Sequence, residues 1–389
     1  MRRIQSEVEN MKKLNSNLLH DNVKQAACYD LDNCKVFGSA YWVWQNGETV
    51  LQHCVGTVSP EGDAVTEHTL FRIASMTKPV TAVAALILDE RGLLSLSDPV
   101  SKYLPAFSHL PITEADGNGG LRHLGYAEKD PVLSDLLTHT SGIGSDENKL
   151  QLMTAEDKVS LDASLCFYAS QGLDFEPGTR QQYSGTAAFD VMAKICELLT
   201  GKEYGEFLRD EIFRPCGMTE TGFVPTNEQW TQFIAVHNKA DGQNIVSPAE
   251  ENCVFADFPC THPLGGAGLF STLHDYSRFA RMLLAEGSFD GHVVLSPESV
   301  RKMGTCQVSK EIMPGNEHWG LGVRVITGEG YETLPVTTFG WSGAYGTHFW
   351  VDPVNNTTAV YMKNSLFDGG AGNESARMFE KAVHDAYTD

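Results

Sequence analysis

The sequence predicts an α/β (α+β) fold: a sheet drawn from both ends of the chain, flanked by N- and C-terminal helices and interrupted by a mostly helical insertion. Three observations lead there. An aromatic, β-branched hairpin pattern lies near the N-terminus, and four strand-like runs lie near the C-terminus. Between them, from about 96 to 250, short helical stretches alternate with long polar loops. With 389 residues, 42% of them hydrophobic and 20% charged, the chain is long enough for two or three structural units and apolar enough for a sizeable core.

Each element follows from local pattern. Residues 3–28 are expected to be helical, with Ile4, Val8, Met11, Leu14 and Leu18 near helical spacing. VFGSAYWVWQ and ETVLQHCVG form a hairpin across the turn signal Asn46-Gly47. FRIA leads into SMTKPVTAVAALILDERG, an apolar helix ending at Gly92, where Pro79 is tolerated because it falls in the first turn. In the insertion, 112–130 reads as a polar loop containing Gly117, Gly119 and Gly120. LGGAGLFST is a glycine turn into the helix HDYSRFARMLLAEG. HWGLGVRVI, VTTFGWSG, THFWVDP and TTAVYMKN are strands, and SARMFEKAVHDAY is the closing helix. The expected division is 1–95 plus 251–389 for the sheet-bearing unit and 96–250 for the insertion, with a cleft between them.

Lys+Arg 29 against Asp+Glu 50 gives a formal net charge of −21, which repels nucleic acid and anionic membrane surfaces. Glu7, Glu9 and Asn10 interrupt any apolar run after the basic start, so no signal peptide is expected, and no run is long enough for a membrane span. Nine scattered cysteines without a CxxC pair suit a reduced cytoplasm better than disulfides or zinc. No His/Cys/Asp cluster has metal-ligand spacing, so neither a metal nor a cofactor is expected.

The chemistry begins at Ser75-Met76-Thr77-Lys78. Positions i and i+3 share a helix face, so the hydroxyl and the amine can meet. A serine becomes nucleophilic when a neighbouring base takes its proton. Lysine can be that base only when unprotonated, which from a reference pKa of about 10.4 costs roughly 4–5 kcal/mol at neutral pH. A second match, Ser299-Val300-Arg301-Lys302, lies in a polar segment and reads as a solvated helix face. Tyr183-Ser184-Gly185 stands at a loop–helix junction, where a phenol beside a lysine can share one proton as base and then acid. Trp341-Ser342-Gly343 reads either as a core strand with a bulge or as an active-site wall whose backbone N–H near Ala344 completes an oxyanion hole with that of Ser75. Trp341, Ser342, Gly343 and Tyr345 are the substrate-binding candidates; of the aromatics near this motif, Phe339, Trp341, Tyr345 and Trp350, strand alternation sends only some inward. Gly340-Trp341-Ser342-Gly343-Ala344 approaches a nucleophile elbow, but turn and strand follow it where that elbow needs a helix. His139 is expected to be a structural loop residue. His318 and His348 are possible pocket linings.

Taken together, FRIASMTK, LLSLSDPVSKYLP, LSDLLTHTSGI, FEPGTRQQYS, IFRPCGMTETGF, LGGAGLFSTLHDYSRFARMLL and FGWSGAYGTHFWVDP resemble, in order, the serine β-lactamase/penicillin-binding-protein-like family. The sequence is most similar to its family VIII carboxylesterases. The resemblance implies a β-lactamase/transpeptidase-like antiparallel sheet with an inserted helical domain. It also implies Ser75, Lys78 and Tyr183 as the catalytic trio, acting on a small-molecule ester without a cofactor. Two positions depart from the β-lactamase pattern. Gly185 stands where those enzymes usually carry Asn, and Trp341 stands where they carry Lys or His. Loss of that cation favours neutral esters, and family VIII esterases carry Trp there. A β-lactamase, a D-amino-acid peptidase, an acyltransferase and a non-catalytic binding relative are the alternatives.

Overall fold

The computed structural model describes residues 11–33, 35–241, 243–247, 262–328 and 330–388. In chain order the elements that frame the site are helix α1 (Ser16–Asp32), the hairpin β1 (Gly38–Gln45) and β2 (Glu48–Gly56), helix α2 (Thr77–Glu90), helix α3 (Ala187–Thr200) and helix α4 (Leu273–Leu284). Strands β3 (Glu317–Trp319), β4 (Arg324–Ile326), β5 (Phe339–Ser342), β6 (His348–Asp352) and β7 (Thr357–Met362) follow, and helix α5 (Glu374–His384) comes last.

The seven strands form one antiparallel sheet in the order β3-β4-β5-β6-β7-β1-β2. The N-terminal hairpin therefore completes a sheet begun by the C-terminal strands. Alternation along the strands gives two apolar faces. Tyr41, Val43, Trp350, Ala359 and Tyr361 pack against Leu19 and Val23 of α1 and Phe379 of α5. Trp42, Phe349, Val351 and Val360 face the other way, into a core shared with α2, α3 and α4. Buried Asp30 ties the first face together, accepting hydrogen bonds from Tyr361 Oη at 2.9 Å and Ser375 Oγ at 2.7 Å.

Several expectations are corrected. The first helix begins at Ser16, because the Asn15 side chain caps it by accepting the Leu18 N–H. Lys13–Leu14 pair instead with Tyr387–Thr388, which joins the two ends of the described chain. Ile4 and Val8 of that expected helix lie outside the described residues. The stretch expected to be a loop at 112–130 contains a hairpin, Pro111–Ala115 against Leu121–Tyr126. Asp116 accepts the Asn118 and Gly120 N–H groups and so closes its turn. A second hairpin pairs Val236–Ala240 with Gln243–Ser247, so the 96–250 region holds strands as well as helices. HWGLGVRVI is two short antiparallel strands around a turn at Gly320–Val323, not one strand.

Phe379 is fully buried between α5 and the sheet. Phe379→Ala should therefore cost about 3–5 kcal/mol of unfolding free energy. Urea denaturation followed by circular dichroism measures it, with a reduced midpoint and an unchanged slope as the expected result.

Candidate active site

Strand Phe71–Arg72 pairs with Phe270–Ser271 and delivers the chain to a tight turn, Ala74–Met76, immediately before α2. Ala74 has φ 43°, a left-handed conformation that costs energy for any residue with a Cβ. That turn leaves Ser75 partly exposed while its neighbours on both sides are buried. One helical turn later Lys78 is fully buried. Its Nζ lies 3.1 Å from Ser75 Oγ, 2.5 Å from Gly185 O and 2.8 Å from Gly266 O. Two carbonyls can thus take two N–H bonds of the amine, and the remaining direction faces the serine.

The turn that carries Gly266 is itself held. Asp190, in the first turn of α3, accepts the Gly265 N–H at 2.9 Å, the Gly266 N–H at 3.4 Å and the Tyr168 hydroxyl at 3.1 Å. Thr81 Oγ1 donates to Gly265 O at 2.6 Å. The glycines are required by contact: a Cβ on Gly265 would lie 2.1 Å from Phe189 O, and one on Gly266 2.7 Å from Thr186 Cα. Burial pushes the Asp190 carboxyl up to about 7, against the downward pull of the Tyr168 and Gly266 hydrogen bonds and the Lys78 charge.

Tyr183 approaches from the loop before α3, with Lys78 Nζ 4.9 Å from its ring centroid. The Trp341 indole N–H donates to the Tyr183 hydroxyl at 3.2 Å. Trp319 stacks on Tyr183 at 5.9 Å and meets Trp341 edge-on at 4.5 Å, forming an aromatic wall. His139 lies 4.4 Å from the Tyr183 ring, and its Nδ1 accepts the Ser184 N–H at 3.0 Å. Burial, and then the nearby Lys78 amine, hold this imidazole well below its usual pKa, so it is neutral. It orients the tyrosine loop by a ring contact and one backbone hydrogen bond.

The third motif divides by strand alternation. Trp341 points into the core shared with α2. Ser342 points the other way: its Oγ is 2.8 Å from His348 Nδ1, and His348 Nε2 is 2.9 Å from Glu380 Oε1 on α5. Burial alone would raise the Glu380 carboxyl, but the His348 hydrogen bond and the Arg324 charge outweigh it and bring it to about 2. This Ser–His–Glu chain is sealed behind the sheet, so Ser342 and His348 do not line the cleft. Gly343 meets the turn that carries Ser75, where an added Cβ would lie 2.4 Å from Ile73 O. Ala344 and Tyr345 pack with Ala74. Tyr345 is buried beneath Ala344, and Arg72 Nη1 donates to its hydroxyl at 3.4 Å. His318 turns to Thr327, and its neighbour Trp319 faces the site in its place. Ser299 is buried on the short helix Pro297–Met303, and Lys302 pairs with Asp89 at 3.0 Å, so the second Ser-x-x-Lys match builds no comparable site.

Residues 23–382 match the Beta-lactamase family. The chain belongs to that family. An uncharacterised protein of Mycobacterium tuberculosis is 31% identical over 84% of this chain and 85% of its own length. Esterase EstB of Burkholderia gladioli is 28% identical over 87% of this chain and 88% of its own. Among solved structures, EstCE1, described as a hydrolase with promiscuous acyltransferase activity, superposes with a TM-score of 0.80 at 22% identity, covering 95% of this chain and 99% of that one. The fold is thus the β-lactamase/transpeptidase fold, and the chain belongs to a family of serine hydrolases whose members include esterases. No helix among the described residues is long and apolar enough to cross a membrane.

Two residues of this beta-lactamase-family site were not singled out by sequence reasoning: Trp319 and Asp190. Asp190 had one available signal, a lone carboxylate in the otherwise apolar start of AAFDVMAKICELL. The raised carboxyl gives it a testable sign. Its neutral form is favoured in the folded protein, so its contribution is fully present below the ordinary value of 3.8 and is lost as pH rises through about 7. Across that window the loss is on the order of 1.4 kcal/mol per pH unit. Asp190→Asn should escape it. Urea unfolding at pH 5 and pH 8 should show the variant gaining stability relative to wild type at the higher pH.

Proposed function

We propose that this protein is a carboxylesterase-type serine hydrolase that works through an acyl-enzyme. Ser75 Oγ attacks the ester carbonyl carbon while its proton passes to the Lys78 amine. The backbone N–H groups of Ser75 and Ala344 receive the charge that develops on the carbonyl oxygen. As the tetrahedral intermediate collapses, Tyr183 protonates the leaving alkoxide and is reprotonated from Lys78. Water then attacks the acyl carbon and gives a proton to the same pair. The Ser75 oxygen leaves as the alcohol, and the carboxylic acid departs.

The observation that carries this is the setting of Lys78. Gly185 O and Gly266 O occupy two of its N–H bonds, and Ser75 Oγ lies at 3.1 Å in the direction left over. Trp341 supports a neutral substrate. It puts an indole where a carboxylate-binding enzyme would carry a cation, and its N–H reaches Tyr183 Oη at 3.2 Å. Acyl transfer to an alcohol uses the same acyl-enzyme, and EstCE1 is described as having that second activity. An alcohol that outcompetes water for the acyl group would select it.

Ser75→Ala should lower turnover of short-chain aryl esters by at least about a thousandfold. Intact-mass measurement with an ester-like phosphonate should give one adduct on the wild type and none on the variant. Turnover by Ser75→Ala at the wild-type level would overturn the assignment. Trp341→Phe keeps the wall but removes the N–H on Tyr183, so kcat should fall about tenfold or more with KM little changed. Steady-state kinetics on the same esters separate the two parameters.

A further inference from the structure

We propose that His68, Glu220 and His274 form a binding site for a transition-metal dication of the zinc type, distinct from the Ser75 site. The three residues are remote in sequence, and the fold brings one donor atom from each within 4.8 Å of the others. His68 Nδ1 and Glu220 Oε2 are 2.7 Å apart, and the His68 and His274 rings lie 4.9 Å apart. Two imidazoles and a carboxylate suit zinc, nickel or copper and do not suit magnesium or calcium, which prefer all-oxygen shells. Neighbouring donors on a tetrahedral ion are about 3.3 Å apart, a spacing that side chains this exposed reach by rotation. His68, Glu220 and His274 are 52%, 26% and 30% exposed.

Two of the donors are already held from behind. The buried Asp275 carboxylate accepts the Glu220 backbone N–H at 2.7 Å and the Thr221 hydroxyl at 2.9 Å through Oδ2. Its Oδ1 is 3.3 Å from His274 Nδ1. A carboxylate behind a ring nitrogen fixes the tautomer and turns the other nitrogen outward as ligand. The His274 backbone N–H in turn donates to Glu67 O at 3.0 Å, fastening α4 beside His68. The Glu67 carboxylate lies 3.8 Å from His68 Nε2, so Glu67, Glu220 and Asp275 together favour a cation. One group opposes it: Arg278 Nη2 is 3.1 Å from His274 Nε2 and must swing aside. Binding puts the metal on His68 Nδ1; a neutral ring then keeps its one hydrogen on Nε2, and a protonated ring gives up one proton to solvent. The ion would clamp the segment leading into Ser75 onto the start of α4 and the Glu220 loop, and the site would be exchangeable because water reaches it.

The test uses the full chain, stripped with EDTA and titrated with ZnCl₂ by calorimetry, with thermal melts alongside. Wild type should bind one ion per chain at micromolar concentration and gain about 3 °C or more in Tm. His68→Gln and His274→Gln should each weaken binding at least tenfold, and Arg278→Gln should tighten it. His292→Gln, at an exposed histidine elsewhere, should bind as wild type does. Cobalt(II) visible spectra of wild type and His274→Gln read the ligand set directly and remain informative if one variant folds poorly. Failure of wild type to bind at about 100 μM zinc, or equal binding by the His68 and His274 variants, would leave an adventitious ion only and overturn the site. None of these readouts depends on ester turnover.

Discussion

A primary amine sealed from water among three oxygen atoms is the constraint on which the rest of this structure depends. Burying an amine is costly unless its hydrogens find acceptors. Here the three neighbouring oxygens come from different parts of the chain: Ser75 from the turn before α2, Gly185 from the start of α3 and Gly266 from the glycine turn before α4. No one segment could satisfy the amine alone. The backbone contacts at Gly265 and Gly266 are too close for any side chain, so that turn is fixed in composition as well as position. Asp190 and Thr81 brace it from opposite sides, and both are buried. The geometry at Ser75 is therefore a consequence of how these three segments meet.

The sheet contributes by having two different faces. On the side of α1 and α5 it is a structural surface, with Asp30, the stacked Tyr41 and Tyr361, and the chain from Ser342 through His348 to Glu380. On the other side it presents Trp319 and Trp341 to Tyr183. A one-residue step along β5 separates a residue that touches the phenol from one locked beneath the C-terminal helix. Strand β5 thus joins the site to the back of the molecule. The Glu380 network holds that strand in register through His348, and Gly343 lets it close on the turn that carries Ser75.

The indole of Trp341 does more than lay an apolar surface beside Tyr183. A cation at this position would hold a substrate carboxylate. The indole instead offers a single neutral N–H and uses it on Tyr183. The surface beside Tyr183 is correspondingly uncharged at this point, and the phenol gains a hydrogen-bond donor.

The sequence by itself determined the sheet built from both ends, the Asn46-Gly47 hairpin, the helix that begins at Ser75-Lys78 and the glycine turn near the site. Each of these rests on local pattern, in which period, turn residues and adjacent positions carry the information. It also marked Tyr183 and Trp341 for attention. Only the tertiary structure decided that Ser342 and His348 face away from Tyr183, that Trp319 and not His318 joins the aromatic wall, and that Asp190 braces the Gly265-Gly266 turn beside Lys78. It alone gathered His68, Glu220 and His274 as well. The physical reason is the same in each case. These outcomes depend on which face of a strand is buried and on which distant backbones come into contact, and neither is encoded by spacing along the chain.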